Sequence, residues 1–270
     1  GLSPIDSFII INRLRALSHK LLIILPSMRA KQKPTHLYSA WSIAERFSNM
    51  LEGIGLRADT LEAENIGVET LKHREIAILP LNAEITEELA GALERFVGAG
   101  GKLFVTYALA ERIANLLHLR CVDWIPQERP GQFSSIQFEA PYIPGIPRVV
   151  KQSSWNITLA EPMNGGMRTI GYWYDDRNCS TGYPALFAGD NGVFVSHLLL
   201  SDDWHAKQKL LAALLGYLVP EFRRRIAESE INRMTTVGHL ASRDDISSFI
   251  RNAAEPSAQE ELRRFCHLAQ

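Results

Sequence analysis

The sequence predicts a doubly wound α/β domain, a mainly parallel sheet with helices on both faces, carrying a β-rich insertion and a helical C-terminal extension. Three observations predict it. Between residues 20 and 120, apolar strand-like runs alternate with amphipathic helical stretches. The connections there are short and carry no hairpin signal. From Cys121 onward the texture changes to short β-prone runs broken by prolines. Strand–helix–strand units with right-handed crossovers build parallel sheets covered on both sides.

Each element has its own reason. In "SPIDSFIIINRLRAL" (3–17), Ser3 stands at a helix N-cap and Pro4 at the first helical position, where the missing N–H costs nothing. "KLLIILP" (20–26) is a continuous apolar run closed by proline, the pattern of a strand covered on both faces. Ala40, Ile43, Ala44, Phe47, Met50, Leu51 and Ile54 fall on one helical face, and Gly53 and Gly55 stop it. "LRADTLEA" (56–63) and "REIAILPL" (74–81) read as strands. Ile85, Leu89, Ala92, Leu93, Phe96 and Val97 form the next apolar face, with Glu87 and Glu88 in its first turn. "GAGG" (98–101) ends that helix and feeds the strand "KLFVT" (102–106).

The second half reads "SSIQFE", "WNITLA", "RTIGYWYD", "YPALFA" and "GVFVSHLLL" as strands, the later ones separated by "NGG" (164–166) and "DNG" (190–192). The last run returns to the main sheet. A helix over 201–218 follows, with Ser201 as cap, Asp202 and Asp203 in the first turn, and Pro220 after it. The expected organisation is an N-terminal helix or linker (1–19), an α/β domain (20–220, with the insertion at 121–190) and a helical extension (221–270).

Composition narrows the function classes. The chain has 270 residues, 46% hydrophobic and 22% charged, with a net charge of −1. It can bury a sizeable core, and it lacks the basic excess of a nucleic-acid protein. The densest basic run, "EFRRRIAE" (221–228), reads as a solvated helix face. No apolar stretch reaches the roughly 18 residues of a membrane span, and no leader pattern opens the sequence. The sequence opens on glycine, so the missing leader assigns no compartment. Cys121, Cys179 and Cys266 are far apart and odd in number, which fits neither a disulfide framework nor a metal cluster. Cys121 follows a helix and reads as a buried or half-buried thiol. The eight histidines show no zinc-site spacing. The glycine runs match no dinucleotide or phosphate-loop motif, so neither a metal nor a cofactor is expected.

"GGKLFVTYALAERI" (100–113) raises the functional question. Many α/β enzymes hold their nucleophile in the sharp turn after such a strand, and here the turn offers Thr106, Tyr107 and Ala108. "LPLNAEITEELAGALERFVGAGGKLFVT" and "RTIGYWYDDRNCSTGYPALFAGDNGVFVSHLLLSDDWHAKQKLLAALLGYLVPEF" together resemble the class I glutamine-amidotransferase-like superfamily. The resemblance is to its non-catalytic branch, which includes β-galactosidase trimerisation domains and modules of bacterial glycoside-hydrolase-like proteins. It covers about residues 20–222 and implies a flavodoxin-like fold. Catalytic members use a cysteine at the elbow and a His-x-Glu pair after the last strand. Here the elbow falls at Tyr107–Ala108, and His197 is followed two residues on by Leu199. The pattern therefore implies loss of glutamine hydrolysis.

Three readings follow. The first is a non-catalytic accessory module, ligand-sensing or assembly-forming, of a larger carbohydrate-active protein, beside a hydrolase-like domain. The second is a hydrolase or transferase with a non-standard site at the carboxyl ends of the strands, where open α/β sheets bind ligands. The third is a pure oligomerisation domain, with a homo-oligomer as its product. The expected ligand is a carbohydrate or another small polar molecule, and neither nucleic acid nor membrane is an expected partner. Cleft candidates on the strand-end rim are Ser27, Arg29, Tyr107, His197 and Asp202, with Trp155, Tyr183 and "GYWYD" as an aromatic patch. Asp175–Asp176 and Asp202–Asp203 read as turn and cap residues, not as a catalytic carboxylate pair.

Overall fold

The computed structural model describes residues 20–26, 34–138 and 143–237. The helix expected over 3–17, together with Ser27, Arg29 and Cys266, lies outside the described residues. In chain order the strands are β1 (Leu21–Leu25), β2 (Asp59–Glu62), β3 (Ile76–Leu79), β4 (Lys102–Thr106), β5 (Leu119–Pro126) and β6 (Phe133–Gln137). There follow β7 (Val149–Ser154), β8 (Asn156–Pro162), β9 (Met167–Tyr174), β10 (Ser180–Gly189) and β11 (Gly192–Val195). The α-helices are α1 (Pro34–Gly53), α2 (Val68–Leu71), α3 (Glu87–Gly98), α4 (Glu111–Leu116), α5 (Trp204–Leu218) and α6 (Glu221–Val237).

Among the described residues, nine strands form one sheet in the order β2-β1-β3-β4-β11-β10-β9-β6-β7. The first five are parallel, and β4 sits between β3 and β11. Side-chain alternation shows why the domain is doubly wound. Leu103 and Val105 of β4 join a core with Leu89, Leu93 and Phe96 of α3 and Ile113 of α4. Phe104, between them, points to the other face and meets Phe47 of α1 edge-on, with ring centroids 5.6 Å apart. Burying each such side chain stabilises the fold by about 1.5–3 kcal/mol. At the start of α3, Thr86 accepts the Leu89 N–H at 3.3 Å and Glu87 and Glu88 face the positive helix end. At its far end Gly100 adopts φ 96°, a left-handed conformation that glycine adopts without steric cost.

The insertion does not form a separate layer. Its strands β10, β9, β6 and β7 continue the main sheet in antiparallel pairing, while β5 and β8 form a two-stranded ribbon. Four strand spacings separate β7 from β11 in that order, about 19 Å if the sheet were flat. Yet Gln152 of β7 lies 3.4 Å from His197, two residues past β11. The antiparallel half therefore curls back until its last strand reaches the segment that leaves β11. Register shifts along β9–β10 and β6–β7 mark bulges, which bend a strand and increase its twist.

The segment 196–203 fastens this curl. The Ser196 N–H donates to Ala185 O, and Ser196 O accepts from the Thr158 N–H of β8 at 2.8 Å. The expected helix start at Ser201 is corrected here, because the N-cap of α5 is Asp203, with φ 47° and no side-chain cap bond. The two carboxylates are used elsewhere. Asp202 Oδ2 accepts the Ser153 N–H at 2.9 Å and Asp203 Oδ2 the Lys151 N–H at 2.8 Å. Both amides belong to the edge strand β7, so the aspartates occupy donors that would otherwise invite another strand. Lys207, 0% exposed, donates to Leu200 O (2.9 Å), Asp202 O (2.6 Å) and Asp202 Oδ1 (2.5 Å). Three acceptors satisfy its three protons. Burial lowers the Lys207 pKa, and the bond to Asp202 opposes that shift.

One further reading is corrected. Cys121 is exposed, because β5 pairs with β8 alone among the described strands and nearly all of its residues face solvent. Asp175 and Asp176 follow β9 in the turn expected for them, and both engage Arg129. The chain divides into two units at Arg223–Arg224, and within the second Arg224 pairs with Glu228 one turn on.

Removing one member of a buried pair strands the other charge. Asp202→Ala is expected to cost about 2 kcal/mol in urea unfolding, below the fully buried range because Asp202 is partly exposed. The double variant Asp202→Ala/Lys207→Met should be less destabilised than Asp202→Ala alone, since it leaves no stranded ammonium. A double variant that is equally or more unstable would remove this role from the pair.

Candidate functional site

Tyr107 directly follows β4 with φ 60°. A left-handed non-glycine residue costs about 1–2 kcal/mol, so neighbouring bonds must hold it. The Tyr107 N–H donates to Val195 O at 2.9 Å, the Ala108 N–H to Thr106 O at 2.7 Å, and the Thr106 hydroxyl to Pro80 O at 2.6 Å. A sharp turn between a strand and a helix is where α/β hydrolases hold their nucleophile. Here it raises a phenol.

Four aromatic rings meet at this turn. The Tyr107 and His197 rings stand edge to face, with centroids 5.3 Å apart. Trp155, in the β7–β8 connection, approaches His197 from a further direction at 5.1 Å and 85°. Trp124 of β5 donates its Nε1–H to the Tyr107 hydroxyl at 2.9 Å. His197 is fully buried and Tyr107 partly so, while Trp124 and Trp155 are 52% and 53% exposed. The insertion thus covers the histidine and leaves two indoles open to solvent.

The tautomer of His197 follows from its neighbours. Nδ1 lies 3.1 Å from Leu198 O, which can only accept, so Nδ1 carries the proton. Gln152 Nε2, 3.4 Å from the same atom, is then not its partner. The Gln152 amide is oriented by the Leu200 N–H on its Oε1 (3.1 Å) and by its own donation to Ser154 Oγ (3.1 Å). His197 Nε2 remains a buried acceptor with no hydrogen bond among the described residues. Burial pushes the His197 pKa down to about 4, with the Leu198 carbonyl and Asp202 opposing and the Lys207 charge assisting. The imidazole is neutral at pH 7.

Two more buried polar groups flank the same rim. Asn82, three residues past β3, has neither amide atom hydrogen-bonded, and neither does Oδ1 of Asn156 at the start of β8. An unmade buried hydrogen bond costs about 1–3 kcal/mol, and such groups in a folded protein call for a specific explanation.

Acyl transfer needs a nucleophile beside the imidazole and a group that fixes the imidazolium. The Asp202 carboxylate is committed to Lys207 and Ser153. Partial desolvation, then Asp123, raises the Cys121 pKa and keeps that thiol protonated. Among the described residues no group of three or more His, Cys, Asp or Glu side chains is placed to hold a metal ion, and no helix is long and apolar enough to cross a membrane.

Of the cleft candidates, the structure joins Tyr107 and His197 directly and puts Asp202 behind His197, in the fastening of its loop. Within the expected aromatic patch, Trp173 is buried and donates to Ser196 Oγ at 2.8 Å, and Tyr183 packs edge-on to Phe133. Only Trp155 of that patch reaches the elbow. Trp124, Gln152 and Lys207 were not among the candidates. Lys207 had a legible signal: it falls three, four and seven residues before Leu210, Leu211 and Leu214, on the buried face of α5.

The depressed histidine pKa makes stability depend on pH. Between about pH 6.5 and pH 4 the unfolded chain binds a proton that the folded chain does not, so stability falls as pH falls through that window. Above pH 6.5 the group contributes no slope. The full loss is about 3 kcal/mol. Urea unfolding of wild type and His197→Gln at pH 7.5 and pH 4.5 should show the smaller loss in the variant. Equal losses would contradict a buried neutral His197.

The sequence matches no protein-family profile and no curated protein sequence. Solved structures do match the fold. A ThuA-like protein from Bacteroides uniformis superposes with a TM-score of 0.57 at 13% identity, over 74% of this chain and 91% of that one. A cold-adapted β-galactosidase from Rahnella sp. R3 gives 0.55 at 16% identity, over 74% of this chain and 31% of that one. An α-L-fucosidase isoenzyme from Paenibacillus thiaminolyticus gives 0.53 at 14%, over 73% and 32%. The chain thus matches nearly all of the ThuA-like protein but about a third of each glycosidase. It shares its α/β fold with the first and with parts of the other two.

Proposed function

We propose that this domain is a non-catalytic, carbohydrate-binding accessory module of a glycoside-hydrolase-like protein. Its site would be the aromatic rim of Tyr107, Trp124 and Trp155 over His197. One observation carries the reading: the strained turn after β4 presents a tyrosine tied to an exposed tryptophan. Exposed indole faces match the apolar C–H faces of sugars. The likeness of fold to parts of two glycosidases supports the carbohydrate context.

In this reading His197, buried beneath Tyr107 and Trp155, shapes the floor and props both rings. Asp202 acts as a positioning residue through Lys207 and β7. Arg29 stays a candidate by its place in the chain, four residues past β1. The enzymatic alternative has less support, because the elbow holds no thiol or serine. Assembly by strand pairing at β7 or β5 also has less support. β7 is capped by Asp202 and Asp203, while β5 carries a bulge at Cys121–Asp123 and has its Trp124 N–H taken by Asp123 Oδ1 at 2.7 Å.

Calorimetric titration of the full chain with mannose, galactose, glucose and their neutral oligosaccharides tests the reading. At least one should bind, and Trp155→Ala and Tyr107→Ala should each weaken it about tenfold. Binding unaffected by both substitutions would move the site elsewhere, and no binding to any sugar would sink the proposal.

A further inference from the structure

The strand register places a second, polar surface on the same rim. β10 begins at Ser180, well before Leu186, the residue opposite Val195 at the end of β11. The β9–β10 hairpin therefore projects past the carboxyl ends of the parallel strands. Ser135 of β6 pairs with Tyr174 on that projecting part, and Phe133 with Ser154 of β7. The β5–β6 loop, the β9–β10 turn and the β7–β8 connection bearing Trp155 thus emerge at one end of the sheet, with Tyr107 and His197. The Gln127 N–H donates to Trp155 O at 2.9 Å and ties the first of these loops to the aromatic rim.

One residue beyond Gln127, Glu128 opens a depression of about 390 Å³ lined also by Arg129, Gln132, Asp175, Ser180 and Thr181. That volume is in the range of small-molecule sites, about 300–1,000 Å³. Its wall is fixed by internal bonds. Asp175 Oδ1 accepts the Arg177 and Cys179 N–H groups at 3.0 and 2.8 Å, and Thr181 donates to Trp173 O at 2.8 Å. Arg129 is clamped between Asp175 and Asp176, which raises its pKa and lowers that of Asp176. Gln132 Oε1 is taken by the Glu128 N–H at 2.6 Å, which leaves its NH₂ directed by that bond and free to donate. The Glu128 carboxylate supplies an acceptor at the lip.

We propose that this depression is a second subsite that continues the aromatic rim, so that the domain binds a neutral oligosaccharide across both surfaces. The inference rests on the carbohydrate reading of the rim and extends it to chain length and charge. Glu128 accepts from sugar hydroxyls and Gln132 donates to them, an arrangement suited to uncharged polyols. The charge of Arg129 is matched on both sides by carboxylates, and Glu128 adds negative charge, so the surface disfavours uronates and other anionic sugars. Arg177, beyond Asp176, is not part of the lining.

Calorimetry with neutral mono-, di- and trisaccharides of mannose, galactose and glucose, and with trigalacturonate, tests this extension. The best neutral trisaccharide should bind at least tenfold tighter than its monosaccharide, and trigalacturonate at least tenfold more weakly than that trisaccharide. Glu128→Ala/Gln132→Ala, both on an exposed loop, should abolish the gain with length and leave monosaccharide affinity unchanged. Trp155→Ala should weaken both. A length gain that survives the double variant, no length gain, or equal binding of trigalacturonate would overturn the second subsite while the rim stands. Sugar binding that ignores Trp155→Ala, or no binding at all, would overturn the rim and the extension together.

Discussion

The return of β7 to the segment that leaves β11 is the constraint on which the rest depends. A nine-stranded open sheet has no reason to bring its last strand back to its middle. Here the polar clasp does so, with Gln152 meeting Leu200, Asp202 and Asp203 meeting the β7 amides, and Lys207 filling the loop between them. An unpaired ammonium in that position would be costly, so the loop, the edge strand and α5 stand or fall together. The curl carries Trp155 onto His197, buries the imidazole and depresses its pKa to about 4.

Chemistry at the rim follows from that closure. A strained turn persists only where its surroundings over-determine it, and the bonds from Tyr107 to Val195 and from Thr106 to Pro80 do so. The turn after β4 therefore holds a tyrosine in a strained conformation, and the neighbouring histidine is neutral, buried and without a carboxylate partner. The aromatic surface arises from elements that meet only in three dimensions: the elbow, the β5 ribbon and the β7–β8 connection.

The parallel half was legible in the sequence because its inner strands β1, β3, β4 and β11 are apolar on both faces and its helices carry clear stripes. β4 matches its expected span, 102–106, and the Gly100 turn follows from "GAGG". The antiparallel half was legible as strands but not as part of the same sheet, since pairing across β9, β6 and β7 leaves no local mark. The 56–63 run shortens to 59–62 and the "GVFVSHLLL" run to 192–195. In the second case Ser196–Leu200 leaves the ladder to form the clasp. At the rim, Tyr107 and His197 could be read from strand ends, whereas Trp124 could not. It lies on a ribbon strand exposed along most of its length, where alternation carries no information about facing. Asp202 and Asp203 were read as a helix cap because that is the commonest use of such a pair, and their true partners lie about fifty residues upstream.

The proposed sugar-binding surface depends on the curled antiparallel wall that brings Trp124 and Trp155 to Tyr107 and His197. Indole ¹H–¹⁵N spectra of the full chain, titrated with a neutral trisaccharide, test that claim most directly. The chain has five tryptophans, and Trp173 is buried with its Nε1–H on Ser196. The account predicts that the Trp124 and Trp155 indole signals shift together and saturably, while those of Trp173 and of Trp41 on α1 stay in place. Saturable shifts confined to Trp41, or an unchanged spectrum across neutral trisaccharides of mannose, galactose and glucose, would contradict it.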